Sequence, residues 1–142
     1  MSVKAFFDTN ILVYAFDQAE SDKQIIAKRL IREFGSEGQL VLSTQVLQEL
    51  YVTLSNMGKQ VLPIEEVADI VNAFAEYPLV QVDKMIIAAA MKRQQSLAFS
   101  FWDSLIVEAA LHAHCQILFS EDLQNGRQLG SLLIQNPFKS SE

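Results

Sequence analysis

Only one of the 142 residues is a cysteine, Cys115. An intramolecular disulfide framework and a cysteine-rich zinc site are therefore excluded. Glycine and proline are scarce, at five and three residues, which argues against collagen, disorder and low-complexity linkers. No uncharged apolar run reaches the roughly 20 residues that a membrane span needs. The opening Met1-Ser2-Val3-Lys4 runs straight into apolar residues with no small-residue cleavage site. No signal peptide is expected, and the expected location is cytoplasmic. Positive charge is also short: 11 Lys and Arg face 17 Asp and Glu, for a net charge of −6. That balance argues against a simple electrostatic grip on nucleic acid. Nucleic acid stays open as a partner, because carboxylates clustered in one site can be neutralised by metal.

Half the residues are apolar, and the length suits a single domain, residues 1–142, able to bury roughly 70% of its unfolded surface. Short apolar runs alternate with amphipathic segments. The runs at residues 3–7, 40–43, 79–82 and 117–119 read as strands, and residues 132–134 as a last edge strand before Pro137. Helices are expected over residues 11–16, 21–34, 44–57, 63–77, 83–93 and 102–114. Ser21 and Gln24 have capping-box spacing, Gly35 and Gly38 bracket the end of the second helix, and Gly58 reads as a helix stop. Strands separated by helices predict an α/β fold with a mostly parallel sheet covered on both faces. In such sheets the ligand crevice lies beyond the carboxyl ends of the strands.

Acidic residues occupy those ends. Asp8 follows the first strand, and Ser120, Glu121 and Asp122 follow the fourth. Glu49 lies on the flank of the Val46/Leu50/Leu54 stripe, and Asp103 in the first turn of a later helix. Each has an ordinary reading: Asp8 and Asp103 as helix caps, Glu49 as a solvated helix residue, Asp122 as a turn residue. Placed together, Asp8, Glu49, Asp103 and Asp122 would repel each other and raise their own pKa values. Hard divalent cations with oxygen ligands relieve that repulsion, and such ions can activate water against a phosphodiester.

Residues 3–10 (VKAFFDTN), 43–51 (STQVLQELY), 101–110 (FWDSLIVEAA) and 118–123 (LFSEDL) resemble, in order and spacing, the four motifs of PIN-domain nucleases. The resemblance is to the VapC-type toxins of toxin–antitoxin pairs and covers about residues 3 to 134. It implies a three-layer α/β/α sandwich and Mg²⁺- or Mn²⁺-dependent endoribonuclease activity. Carried over residue by residue, it implies Asp8, Glu49, Asp103 and Asp122 as catalytic and metal-binding positions. Glu121 is able to share or replace the role of Asp122. Thr9, Asn10 and Ser120 match the small polar positions that help hold the site. A homodimer and an antitoxin lying in the groove are implied as partners besides RNA. The expected products carry 5′-phosphate and 3′-hydroxyl ends.

Two other function classes compete. A phosphotransfer or phosphatase site also places an Asp after its first strand but needs a second acid nearby, where Asn10 stands. A non-catalytic PIN-fold binding module is disfavoured by four intact acidic positions. His112 and His114, two apart, point away from each other and make no metal pair, with one expected at the surface and one partly buried. Cys115 reads as a small core residue. Gly58-Lys59-Gln60 lacks the rest of a phosphate loop. Trp102 reads as a core or dimer anchor in preference to a base-stacking ring. Lys23, Lys28, Arg29 and Arg32, and separately Lys84, Lys92 and Arg93, are candidate phosphate contacts or solvated faces. The apolar helices at 21–34 and 64–74 are expected to leave exposed faces suited to an interface.

Overall fold

Ala5, Phe6 and Phe7 are all wholly buried, although successive side chains of a strand point to opposite faces. Both faces of that strand must be covered, as for a central strand of a parallel sheet. The computed structural model describes residues 3–57, 62–96 and 99–139. Its strands are β1 (Ala5–Phe7), β2 (Leu40–Ser43), β3 (Leu79–Val80), β4 (Ile117–Phe119), β5 (Gln128–Leu129) and β6 (Leu132–Gln135). Its helices are α1 (Thr9–Tyr14), α2 (Ser21–Ser36), α3 (Thr44–Ser55), α4 (Ile64–Phe74), α5 (Lys84–Ser96) and α6 (Phe101–His112). The sheet order is β3-β2-β1-β4-β6-β5, parallel throughout except for β5. Helices flank it, as the sequence pattern predicts.

The chain steps outward from β1 to β2 to β3, then returns to place β4 on the other side of β1. That reversal of direction opens a crevice beyond the carboxyl ends of β1 and β4. Asp8 N–H donates to the Phe119 carbonyl at 2.9 Å, tying the two strand ends together. Directly beneath, Phe7, Phe34 and Phe119 pack edge to face, with centroids 5.3 to 5.8 Å apart. Each such contact adds about 1 kcal/mol beyond the area it buries. One residue further along each strand the chain changes from aromatic to polar, at Asp8 and Ser120.

β2 and β4 match the apolar runs that announce them, β1 and β3 are shorter than theirs, and several local expectations are corrected. Residues 132–134 do form a strand, but not an edge: β6 pairs in parallel with β4, and β5 takes the edge. Two residues, Gln128 and Leu129, carry too little pattern to announce a strand. Gly130, at φ 60°, makes the tight turn between β5 and β6. Ser21 does not cap α2; Glu20 precedes the helix without a side-chain cap, and Gln24 Nε2 donates to Ala15 O instead. Gly35 and Gly38 do bracket the end of α2, which stops at Ser36. A Cβ at Gly35 would lie 3.0 Å from the Tyr77 ring, so close packing explains that glycine. The helix stop at Gly58, the Gly58-Lys59-Gln60 segment and the opening Met1-Ser2 lie outside the described residues. Among the described residues no helix is long and apolar enough to cross a membrane.

His112 and His114 are both exposed, because His114 leaves the helix at φ 59° and turns outward. Cys115 is buried, and burial pushes its thiol up to about 12. That agrees with a core role and not a nucleophilic one.

Candidate functional site

Asp8 is both a helix cap and a member of the site. As N-cap of α1 it accepts the Thr9 N–H on Oδ1 at 2.8 Å. Its Oδ2 accepts the Ser120 hydroxyl at 2.9 Å. The side chain is only 8% exposed. Burial raises its pKa from 3.8 to about 6. The Ser120 and Thr9 bonds oppose that rise, while the nearby Glu49 and Asp122 charges add to it.

Glu49 arrives from α3, whose start is capped by the Ser43 hydroxyl. The helical stripe buries Val46, Leu50 and Leu54 and leaves Glu49 half-buried on the flank. Thr9 Oγ1 donates to its Oε1 at 2.5 Å, and Gln45 Nε2 to its Oε2 at 3.2 Å. Gln45 is one helical turn before Glu49 and was not foreseen. The i, i+4 spacing was the available signal. Its Nε2 also donates to the Trp102 carbonyl at 3.2 Å, joining α3 to α6.

Asp103 is not the N-cap of α6. Ser100 is, its hydroxyl accepting the Asp103 N–H at 3.0 Å. Asp103 therefore sits inside the first turn, where a helix start favours a carboxylate. Burial raises its pKa, the Ser100 bond opposes, and the charges of Asp122 and Glu49 raise it further. Trp102 beside it is 62% exposed, so it is not a core anchor.

The loop after β4 sends its two acids different ways. Asp122 accepts the Asn10 side-chain amide at 2.5 Å. Glu121 turns toward α1 and α2, accepting the Tyr14 hydroxyl at 2.6 Å and the Lys23 ammonium at 2.5 Å. Burial opposes ionisation of Glu121, but the Lys23 and Tyr14 bonds outweigh it and hold the carboxyl below its usual value. Tyr14 and Lys23 were not foreseen as part of this region's support. Lys23 is thereby paired, as is Arg93 with Glu108, while Lys28 and Arg32 line a separate, largely apolar cavity of about 560 Å³.

Asp8, Glu49, Asp103 and Asp122 line one cavity of about 310 Å³, together with Thr9, Asn10, Gln45 and Trp102. Ser120 stands behind Asp8, and Glu121 is not part of the lining. Among the described residues, none that lines it is cationic. Among the described residues, no three Asp, Glu, His or Cys side chains close into a metal cage. The donor set nevertheless suits a hydrated hard cation. Every ionisable lining group is a carboxylate, and Gln45 Oε1 is a buried acceptor without a partner. Mg²⁺ keeps several waters and needs only one or two protein carboxylates.

The model of the PIN domain family matches residues 5–125. A comparison with curated proteins gives no match. Solved structures are similar in fold. A toxin–antitoxin complex from Klebsiella pneumoniae aligns with TM-score 0.70 at 16% identity, over 96% of this chain and 100% of that one. DNA-bound VapBC from Salmonella typhimurium aligns with TM-score 0.68 at 15% identity, over 96% and 99%. VapC20 of Mycobacterium tuberculosis, described as a sarcin–ricin loop cleaving toxin, aligns with TM-score 0.62 at 17% identity, over 84% and 92%.

Proposed function

The chain belongs to the PIN domain family, and from that premise we propose that it is a Mg²⁺- or Mn²⁺-dependent endoribonuclease, the VapC-type toxin of a toxin–antitoxin pair. The observation that carries this reading is the meeting of Asp8, Glu49, Asp103 and Asp122 on one cavity that, among the described residues, no cation lines. Carboxylates gathered without a counter-charge repel one another; burial is the main cause of the raised pKa of Asp8 and Asp103, and the neighbouring carboxylates add to it. RNA as the substrate class is supported by the likeness to VapC20, and an antitoxin partner by the likeness to the Klebsiella complex.

Asp8, Asp103 and Asp122 would hold the ion, with Glu49 bound to it directly or through water. When bound, the ion supplies charge that acidifies water and stabilises the oxygens of the phosphodiester. The chain's own residues set the geometry. Ser120 and Thr9 fix both oxygens of Asp8. Thr9 and Gln45 fix Glu49, and Asn10 fixes Asp122. Glu121, through Tyr14 and Lys23, anchors the loop that carries Asp122. Hydrolysis in this arrangement leaves 5′-phosphate and 3′-hydroxyl ends. The proposed setting is cytoplasmic, with the 142 residues acting as one domain. A homodimer is supported by exposed apolar side chains. Ile25 of α2, Ile64 of α4, and Met85 and Met91 of α5 are exposed.

The test is cleavage of a mixed RNA pool with Mg²⁺ or Mn²⁺ by wild type, Asp8→Asn and Asp103→Asn, with EDTA as control. Metal-dependent cutting by the wild type alone, with 5′-phosphate ends, is expected. Cleavage that survives EDTA, or ends bearing 2′,3′-cyclic phosphate, contradicts the proposal.

A further inference from the structure

The only tryptophan of the chain, Trp102, is 62% exposed and lies on the lining of the carboxylate cavity. Tryptophan is highly buried on average, so its exposure beside Asp103 needs a reason. Its backbone is fixed from two sides. Gln45 Nε2 holds its carbonyl at 3.2 Å, and the Ser100 cap orders the turn it sits in. Phe101 packs against its ring at a centroid distance of 5.4 Å. The ring is thus held in place at the rim and left open to solvent.

Among the described residues, the cavity beside it offers a phosphate backbone no cationic side chain. The net charge of −6 opposes binding at longer range, and two divalent ions would reduce it only to −2. At the cavity itself, contacts to the bases are then the available source of added affinity. Aromatic rings supply this by stacking, roughly 5- to 150-fold in affinity per base. Bases within a duplex are already stacked, so a protein ring takes unpaired ones.

We propose that Trp102 is the stacking platform for an unpaired nucleobase beside the phosphodiester held at the carboxylate cavity. This rests on the ribonuclease reading and adds the group that gives the substrate its grip. A single tryptophan allows a direct test. Its fluorescence is followed while a 12-nucleotide single-stranded RNA of mixed sequence is added with Ca²⁺, and again with an abasic ribose-phosphate strand of equal length. The RNA is expected to quench the emission and the abasic strand is not. Binding of labelled RNA, read by anisotropy, is expected to weaken roughly 5- to 150-fold in Trp102→Ala and to be largely restored in Trp102→Phe. Mn²⁺ affinity is expected to be unchanged in both.

RNA binding without quenching, or equal RNA affinity in Trp102→Ala, overturns the proposal. So does a wild type that binds no RNA. A Trp102→Ala variant that changes oligomeric state and not RNA affinity also overturns it, and assigns the ring to a protein contact. The two readings fail separately. Quenching by RNA that is never cut removes the nuclease and keeps the stack. Cleavage with unchanged KM in Trp102→Ala removes the stack and keeps the nuclease.

Discussion

Glu121 and Asp122 are adjacent in the chain and end in opposite surroundings. Glu121 meets a lysine and a tyrosine hydroxyl, and its charge is answered within the chain. Asp122 meets the Asn10 amide and shares with Asp8, Glu49 and Asp103 a cavity that no cation among the described residues lines. The same contrast separates the two regions as wholes. Around Tyr14 and Lys23, ion pair, hydrogen bond and aromatic contacts close on one another, with Lys23 4.7 Å above the Tyr14 ring. In the cavity Asp8, Glu49 and Asp122 are held by neutral donors that fix their direction and leave their charge uncompensated. The acid that the chain neutralises holds the loop, and the acids that it leaves unneutralised are the ones assigned to a cation in the proposed function.

Removing charge from the cavity is the strongest way to break that contrast. Asp8→Asn or Asp103→Asn is expected to lower the cleavage rate by about a thousandfold, equivalent to about 4 kcal/mol, with the circular dichroism spectrum unchanged. The metal-free protein should also report the burial of Asp8, to which the neighbouring carboxylates add. The folded pKa of Asp8, about 6, lies above its ordinary 3.8, so the native state binds the proton more tightly. Stability from this group is present at low pH and is lost as pH rises from about 4 through 6. The shift corresponds to about 3 kcal/mol as an upper bound. Thermal unfolding in EDTA is expected to occur at higher temperature at pH 5 than at pH 7.5, less so in Asp8→Asn. Gln45→Leu, which releases Glu49 without altering any charge, is expected to reduce Mn²⁺ affinity or cleavage by about 10- to 100-fold. The smallest effect belongs to the paired acid. Glu121→Gln is expected to cost about 1 kcal/mol in urea unfolding and to leave cleavage within a few-fold.

The sheet and the four acids were legible in the sequence because each depends on a local signal. Apolar runs mark the strands, and Asp8 and Asp122 stand at or just past their ends. The spacing of Val46, Leu50 and Leu54 puts Glu49 on a flank. What was not legible depends on contacts between distant segments. The Glu121–Lys23 pair joins residues 98 apart, and nothing in the pattern of either segment announces it. Trp102 reads as a core residue by type, and only its place at the start of α6, above the cavity, shows the ring exposed. Ser100 was overlooked as a cap because Asp103, three residues on, satisfies the same composition rule. β5 is two residues long and carries no pattern at all.

Mn²⁺ titration of wild type, Asp103→Asn and Glu121→Gln, followed by electron paramagnetic resonance of the free ion, decides whether the uncompensated acids form one cation site. Binding by the wild type and by Glu121→Gln, with strong loss in Asp103→Asn, is the result expected. Equal binding by wild type and Asp103→Asn, or none by the folded wild type, would contradict it.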